Sequence, residues 1–206
     1  MEQEPPRTPA VGDPAPKRPR NAAATREAIL RSAMEAFSRN GYDGVGVREI
    51  AAAAGVTAML VNRYFGSKEQ LFAEVVEASF TPPTVVTDDP RTLSQDVARA
   101  LVERTSPEAH HLDPFLLMLL SAPNQRAAEI MRQGIERHVG RRLTEQLTGS
   151  DVPERAGLAL SVIAGTWLMR KVIGDAALVQ GDEEALARRL EGVFGLLFSD
   201  DDGDGA

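Results

Sequence analysis

Cysteine is absent from the 206 residues, and histidine occurs three times in two places. The first absence rules out disulfides, thiolate metal sites and a cysteine nucleophile. The second leaves no Ser-His-Asp arrangement, and neither a phosphate-cradling glycine loop nor paired catalytic acids stand out, so an enzyme is not expected. Aromatic residues make up 5% of the chain, with a single tryptophan. Uninterrupted apolar runs fall far short of the roughly 18 residues a membrane span needs. No basic start followed by an apolar core opens the chain. These absences lead to the expectation of a soluble cytoplasmic protein of one or two compact domains, without a cofactor. His110 and His111 are neighbours with Asp113 close by, but adjacent helical residues diverge by about 100° and no third ligand stands at chelating spacing. No metal site is expected.

Net charge is −7, which taken alone argues against a nucleic-acid partner. Its distribution along the chain argues the other way. Between Lys17 and Lys68 nine Lys/Arg face four Asp/Glu, whereas from Glu69 onward thirteen face twenty-three. A basic end on an acidic body suits a small DNA-reading domain joined to a larger regulatory one.

Six of the thirteen prolines fall in residues 1–20, a stretch expected to be disordered. Its closing Lys17-Arg18-Pro19-Arg20 reads either as a basic arm for phosphates or a minor groove, or as a solvated tail. The acidic stretch 199–206 is expected to be disordered as well. Everything between reads helical, so the fold expected is all-α with about nine helices. Thr25 is expected to cap the first helix, whose Ile29, Ala33 and Phe37 form one stripe and which Asn40-Gly41 stops. Further helices are expected near 47–54, 58–64, 67–80, 92–105, 113–121, 124–148, 153–178 and 182–198. Ser67-Lys68-Glu69-Gln70 forms a capping box for the helix at 67–80, and Thr81-Pro82-Pro83 with a polar loop to Pro90 ends it. Gly149 is expected to stop 124–148, and Asp151-Val152-Pro153-Glu154 to start 153–178 with a cap and a first-turn proline.

Within this pattern, residues 47–64 have the composition of two short helices crossing at a sharp turn. Ile50 and Ala54 share a face, Ala51 is small enough for close passage, and Gly55 supplies the left-handed corner. Val56, Val61 and Tyr64 anchor the second helix. Such a helix-turn-helix exists mainly to lay one helix in the DNA major groove. The domains expected are the helix-turn-helix unit at 21–66 and a regulatory and dimerisation unit at 67–198.

The run Thr25…Ile29-Leu30…Ala33…Phe37…Asn40-Gly41-Tyr42…Val47-Arg48-Glu49-Ile50-Ala51…Ala54-Gly55-Val56-Thr57…Tyr64-Phe65-Gly66-Ser67-Lys68-Glu69…Leu71 resembles the N-terminal domain of the TetR/AcrR family of transcriptional regulators. The resemblance covers about a quarter of the chain. It implies an all-helical homodimer that represses transcription from a palindromic operator and releases it when a small molecule enters the C-terminal domain. The alternative is a constitutive or protein-partner-controlled regulator. Two positions depart from the family pattern: Gly46 stands where Ser or Thr usually caps the second helix, and Asn62 where a Tyr is common.

For base edges the resemblance points to the exposed positions of the helix at 58–64, with Thr57, Asn62 and Arg63 for polar contacts and Ala58 or Met59 for apolar ones. Asn bridges adenine, Arg bridges guanine, and a methyl group meets thymine. Phosphate contacts are expected from Arg48, Tyr64 and Lys68. The ligand pocket implied by the resembling fold draws on Phe72, Val75, Val76, Phe115, Met118, Leu119, Met131 and Trp167; such a stripe is more often plain core than a ligand box. Arg170, a turn beyond Trp167, pairs with an anionic ligand or with a neighbouring carboxylate. The last two long helices are expected to form the dimer interface through Leu160, Ala164, Leu186, Leu190, Val193, Phe194 and Leu197, the alternative being that they simply pack within one subunit. Gly157, Gly165, Gly192 and Gly195 are poor helix residues that make sense if these helices pack very closely against something.

Overall fold

A computed structural model of the chain describes residues 18–80, 89–106 and 114–200. The expectations placed on residues 1–17, on the loop 81–88, on His110, His111 and Asp113, and on the tail from residue 201 lie outside the described residues. Those that remain are all-helical, with no strand among them. In chain order the helices are α1 (Arg18–Asn40), α2 (Val47–Ala53), α3 (Ala58–Phe65), α4 (Lys68–Ser79), α5 (Leu93–Arg104), α6 (Pro114–Ser121), α7 (Gln125–Ile135), α8 (Arg141–Gln146), α9 (Val152–Trp167), α10 (Ala176–Val179) and α11 (Glu183–Phe198). A π turn, Glu136–Gly140, joins α7 to α8 in one rod, and another, Leu168–Ile173, extends α9.

The first helix begins at Arg18, so Thr25 lies inside it rather than capping it. Ala22, Ala23 and Ala24 are strong helix formers, and Pro19 sits in the first turn where it is tolerated. Ile29, Ala33 and Phe37 are fully buried along one stripe. Gly41, at φ +69°, ends α1 by donating its N–H to Phe37 O at 2.9 Å.

At the helix-turn-helix corner Gly55 takes φ +69°, and Val56 N–H reaches back to Ala51 O at 2.9 Å. That left-handed residue lets α3 fold across α2 without a Cβ clash. Gly46 precedes α2 without a side-chain cap, and the Glu49 carboxylate accepts its N–H at 2.7 Å. Ser67 Oγ accepts from Gln70 N–H at 3.2 Å and opens α4.

Two hydrophobic cores follow. The first joins α1, α2, α3 and α4 to Leu117 of α6 and to Ala127 and Met131 of α7. Its centre is a triangle of rings, with Phe72 edge-on to both Phe37 (5.1 Å) and Tyr42 (5.0 Å). The reading head and the body therefore share one packed interior. The second core joins α5, the α7–α8 rod, α9 and α11.

Three expectations at the C-terminal half are corrected. The helix expected over 153–178 is interrupted at Gly174, at φ +70°, leaving α10 as a separate short turn. Asp151 stands at the start of α9 with φ +53° and makes no side-chain cap bond. The α7–α8 rod ends at Gln146, ahead of Gly149. The stretch Val152–Ile173 is long and apolar enough, by length and composition alone, to cross a membrane, and 28% of its most apolar part is buried within the chain.

Candidate nucleic-acid interface

Helix α3 is amphipathic in the way a reading helix must be. Val61 and Phe65, one turn apart, are buried in the first core. The opposite face carries Met59, 80% exposed, together with exposed Asn62 and Arg63. Ala58 is partly covered by the core edge. Arg26 of α1 braces the far end of α3: its guanidinium lies 4.7 Å over the Phe65 ring and pairs with Glu74 of α4. Nothing in the local sequence singled out Arg26, because its partners come from two other helices.

Thr57 caps α3, its hydroxyl accepting from Leu60 N–H at 3.4 Å. The hydroxyl proton stays available for a phosphate or base. Arg48 and Arg63 are exposed and take part in no ion pair among the described residues. Two unneutralised guanidiniums on the helix-turn-helix unit suit contact with a polyanion. Tyr64 is half-buried against the first core. Lys68, at the start of α4, places its ammonium 4.4 Å over the Tyr42 ring. It is thereby held at the α3–α4 corner rather than free in solvent. Burial pushes the Tyr42 phenol above its ordinary value of 10, and the Glu69 and Asp43 carboxylates push the same way.

The residues expected to line a pocket are dispersed. Val76, Met118 and Met131 do meet around a small void between α4, α6 and α7, with Ser79, Phe80, Leu117 and Ile135 completing the wall. Its volume is about 10 Å³, room for one water at most. Phe72 and Val75 belong to the packed core. Leu119 faces outward, 44% exposed. Trp167 is buried and stacks on Phe115 at 5.5 Å, away from the void's lining.

Arg170 takes the second of its two readings. It is buried, and its guanidinium donates to Val102 O (2.8 Å), Thr105 Oγ1 (2.6 Å) and Leu178 O (3.0 Å) while pairing with Glu183 at 2.8 Å. With those groups engaged, it ties the end of α5 to α10 and α11.

On α11, Leu190 and Phe194 turn inward and pack in the second core, Phe194 with no exposure at all. Leu160, Leu186 and Leu197 flank that core and Ala164 is half-buried. Of the expected interface residues on α11, Val193 is the one left exposed, beside Leu196, which is 78% exposed. A Cβ built on Gly157, Gly165, Gly192 or Gly195 would meet nothing within 4 Å. Within one chain, then, the close packing expected of these glycines does not occur.

A three-helix reading head whose third helix, α3, is exposed and partly cationic, carried on an all-helical body, defines the class: a helix-turn-helix fold. Residues 29–75 match the family described as bacterial regulatory proteins, tetR family. Residues 92–194 match the tetracyclin repressor-like C-terminal domain. The chain belongs to the TetR family of bacterial regulatory proteins. Among curated relatives, the HTH-type transcriptional repressor SCO4008 of Streptomyces coelicolor is 32% identical over 102 residues, 49% of this chain and 50% of that protein. Matches to the curated relatives thus span about half of their length or less. A TetR-family regulator of Streptomyces coelicolor, SCO0857, shares the fold with a TM-score of 0.57 at 23% identity, over 90% of this chain and all of that one. The multidrug binding protein EbrR, solved in complex with proflavin, does so with a TM-score of 0.59 at 20% identity, over 84% of this chain and 99% of that one.

Proposed function

We propose that the protein is a cytoplasmic repressor that binds a palindromic operator as a homodimer and releases it on binding a small molecule. The outward face of α3 carries this reading, with Met59, Asn62 and Arg63 exposed and Arg63 unpaired among the described residues. Thr57, Asn62 and Arg63 read base edges, Ala58 and Met59 meet thymine methyls, and Arg48, Tyr64 and Lys68 hold phosphates.

The dimer reading rests on α9 and α11. Gly157, Leu158, Ser161 and Gly165 recur at helical spacing on exposed α9 surface, and Gly192, Val193 and Leu196 do so on α11. Ser161 Oγ already donates to Gly157 O at 2.9 Å, so the seam exposes little unsatisfied polarity. Small residues without neighbours permit close helix approach, and a second copy supplies the neighbour through a two-fold four-helix bundle. This face replaces the Leu190 and Phe194 side of α11, which the protomer's own core occupies.

The effector reading draws on the void between α4 and α7, which an apolar ligand would enlarge. EbrR, a neighbour in fold, was solved with proflavin. Moving α4, which runs on from the reading head, would change the separation of the two recognition helices. A differential affinity of about 1–3 kcal/mol between the two states suffices for release. A second reading, a constitutive or protein-controlled regulator, is favoured by one observation: the void is only about 10 Å³.

The deciding experiment is binding of the purified protein to its own upstream intergenic DNA across salt, with Arg63→Ala beside wild type. Dimeric, palindrome-specific binding that relaxes in the variant is expected. Equal, weak and salt-sensitive binding to any duplex would sink the regulator reading. A library of apolar and cationic small molecules then separates the two readings, since under the constitutive one no compound shifts operator affinity.

A further inference from the structure

We propose that the hydrogen bond between Asn124 and Asp43 is a specificity-determining latch that sets which half-site spacing the protein accepts in its operator. The inference rests on the dimeric, palindrome-reading function proposed above and adds the residues that hold the reading head at a set angle.

Besides the core it shares with α6 and α7, the head has two attachments to the body. One attachment is covalent, through α4. The other is a corner between α6 and α7 that grips the turn following α1. There Ser121 Oγ accepts the Tyr42 N–H at 3.0 Å in a buried bond. The Leu120 carbonyl lies so close to Gly41 that a Cβ there would stand 2.3 Å from its oxygen. Asn124 Nδ2 donates to both Asp43 carboxylate oxygens, at 2.9 and 3.1 Å. The other end of the same amide, Oδ1, accepts from Ala127 N–H at 3.0 Å and caps α7. One planar group therefore ties the start of α7 to the reading head from both of its ends. Arg126, the second residue of α7, adds a looser ion pair to Glu69 of α4 at 3.4 Å.

The gripped turn is rigidly part of the head, because Tyr42 packs against Phe37 and Phe72 in the core. The shared core seats the head against α6 and α7, and the second attachment fixes its angle on that seat. The Ser121 tie uses a backbone amide that almost any residue at position 42 would supply. Of the two hydrogen-bonded ties to this turn, only the Asn124–Asp43 one depends on side-chain identity at both ends. It is exposed, so it contributes little to stability, and its effect lies in orientation. Orientation is what operator spacing tests: one added base pair moves the second half-site by about 3.4 Å and rotates it by about 35°. A latched dimer follows that change less readily than an unlatched one.

The test uses full-length protein and a duplex selected by wild type from a random library, compared with derivatives carrying one base pair more or fewer at the palindrome centre. Wild type is expected to bind the altered spacings at least about tenfold more weakly. Asp43→Ala, and separately Asn124→Ser, which retains a cap acceptor for α7, should each reduce that ratio by about threefold or more. The double variant should match either single one, since both sever the same bond. Asp43→Asn removes the charge but retains an acceptor and should restore the wild-type ratio. Unfolding temperatures should move by no more than about 3 °C. An unchanged ratio in Asp43→Ala and Asn124→Ser overturns the latch and leaves the dimeric reading standing. An Asp43→Asn ratio equal to that of Asp43→Ala assigns the effect to charge and overturns it too. A wild type indifferent to spacing overturns the latch and the palindromic reading together.

Discussion

Arg63 and Arg48 carry the same charge on the same small domain, and they are expected to fail differently. Arg63 sits on the outward face of α3, so Arg63→Ala should cost about 1–3 kcal/mol on the preferred operator and little on other DNA. Arg48, beside the start of α2, should weaken binding uniformly when replaced by Ala and lower the salt slope by about one. Titration of both variants across salt, on operator and on random duplex, separates the two; parallel behaviour would refute the division of roles. Arg170 illustrates the opposite situation, a cation wholly consumed inside the protein. Replacing it with Met removes its bonds to Val102, Thr105 and Leu178 and its pairing with Glu183. Because the Glu183 side chain is half exposed and rehydrates, the expected loss is about 2–4 kcal/mol rather than the full penalty of a stranded buried ion. Urea unfolding measures it, and a loss below about 0.5 kcal/mol, within the ordinary scatter of surface substitutions, would remove Arg170 from that structural role.

Among the elements, the two glycine corners of the reading head differ in what surrounds them. Gly55 and Gly41 have the same φ of +69°. A Cβ on Gly55 would meet nothing within 4 Å, whereas one on Gly41 would collide with the Leu120 carbonyl. Gly55→Ala should therefore cost only backbone strain, about 1–2 kcal/mol. Gly41→Ala should cost clearly more, since α6 must also retreat from α1. Thermal unfolding of the pair checks the order, and equal losses would mean that the α1–α6 contact is not tight. The corner at Gly55 was readable in the chain, because a left-handed residue between two short apolar-faced helices is a local requirement. The contact at Gly41 was not, because Leu120 arrives from a distant helix.

For the whole molecule the decisive surface is the α9–α11 face. Leu196→Glu places a charge where the second copy is expected, on a side chain that is 78% exposed in the protomer. It should leave the protomer folded, shift sedimentation from dimer to monomer, and abolish tight binding to the palindrome while sparing weak half-site contact. Phe194→Ala, by contrast, empties the protomer's own second core and should cost about 3–5 kcal/mol in stability. A Leu196→Glu variant that stays dimeric would move the interface elsewhere. The two substitutions lie two residues apart and separate association from folding, a distinction that apolar periodicity alone blurred.

The chain by itself determined the all-helical class, the helix-turn-helix and the residues presented by its second helix. Those features close within some forty residues, through caps, left-handed glycines and one-turn spacings that the order of residues states directly. The tertiary structure decided the rest. Helix α11 carries apolar residues on more than one side, and only packing against α5 shows that Leu190 and Phe194 turn inward while Val193 and Leu196 remain outside. Arg170 finds partners 65 and 68 residues away, and Asn124 meets Asp43 across 81. No local rule encodes such pairings, because they exist only once separate helices have been brought together by the cores they share.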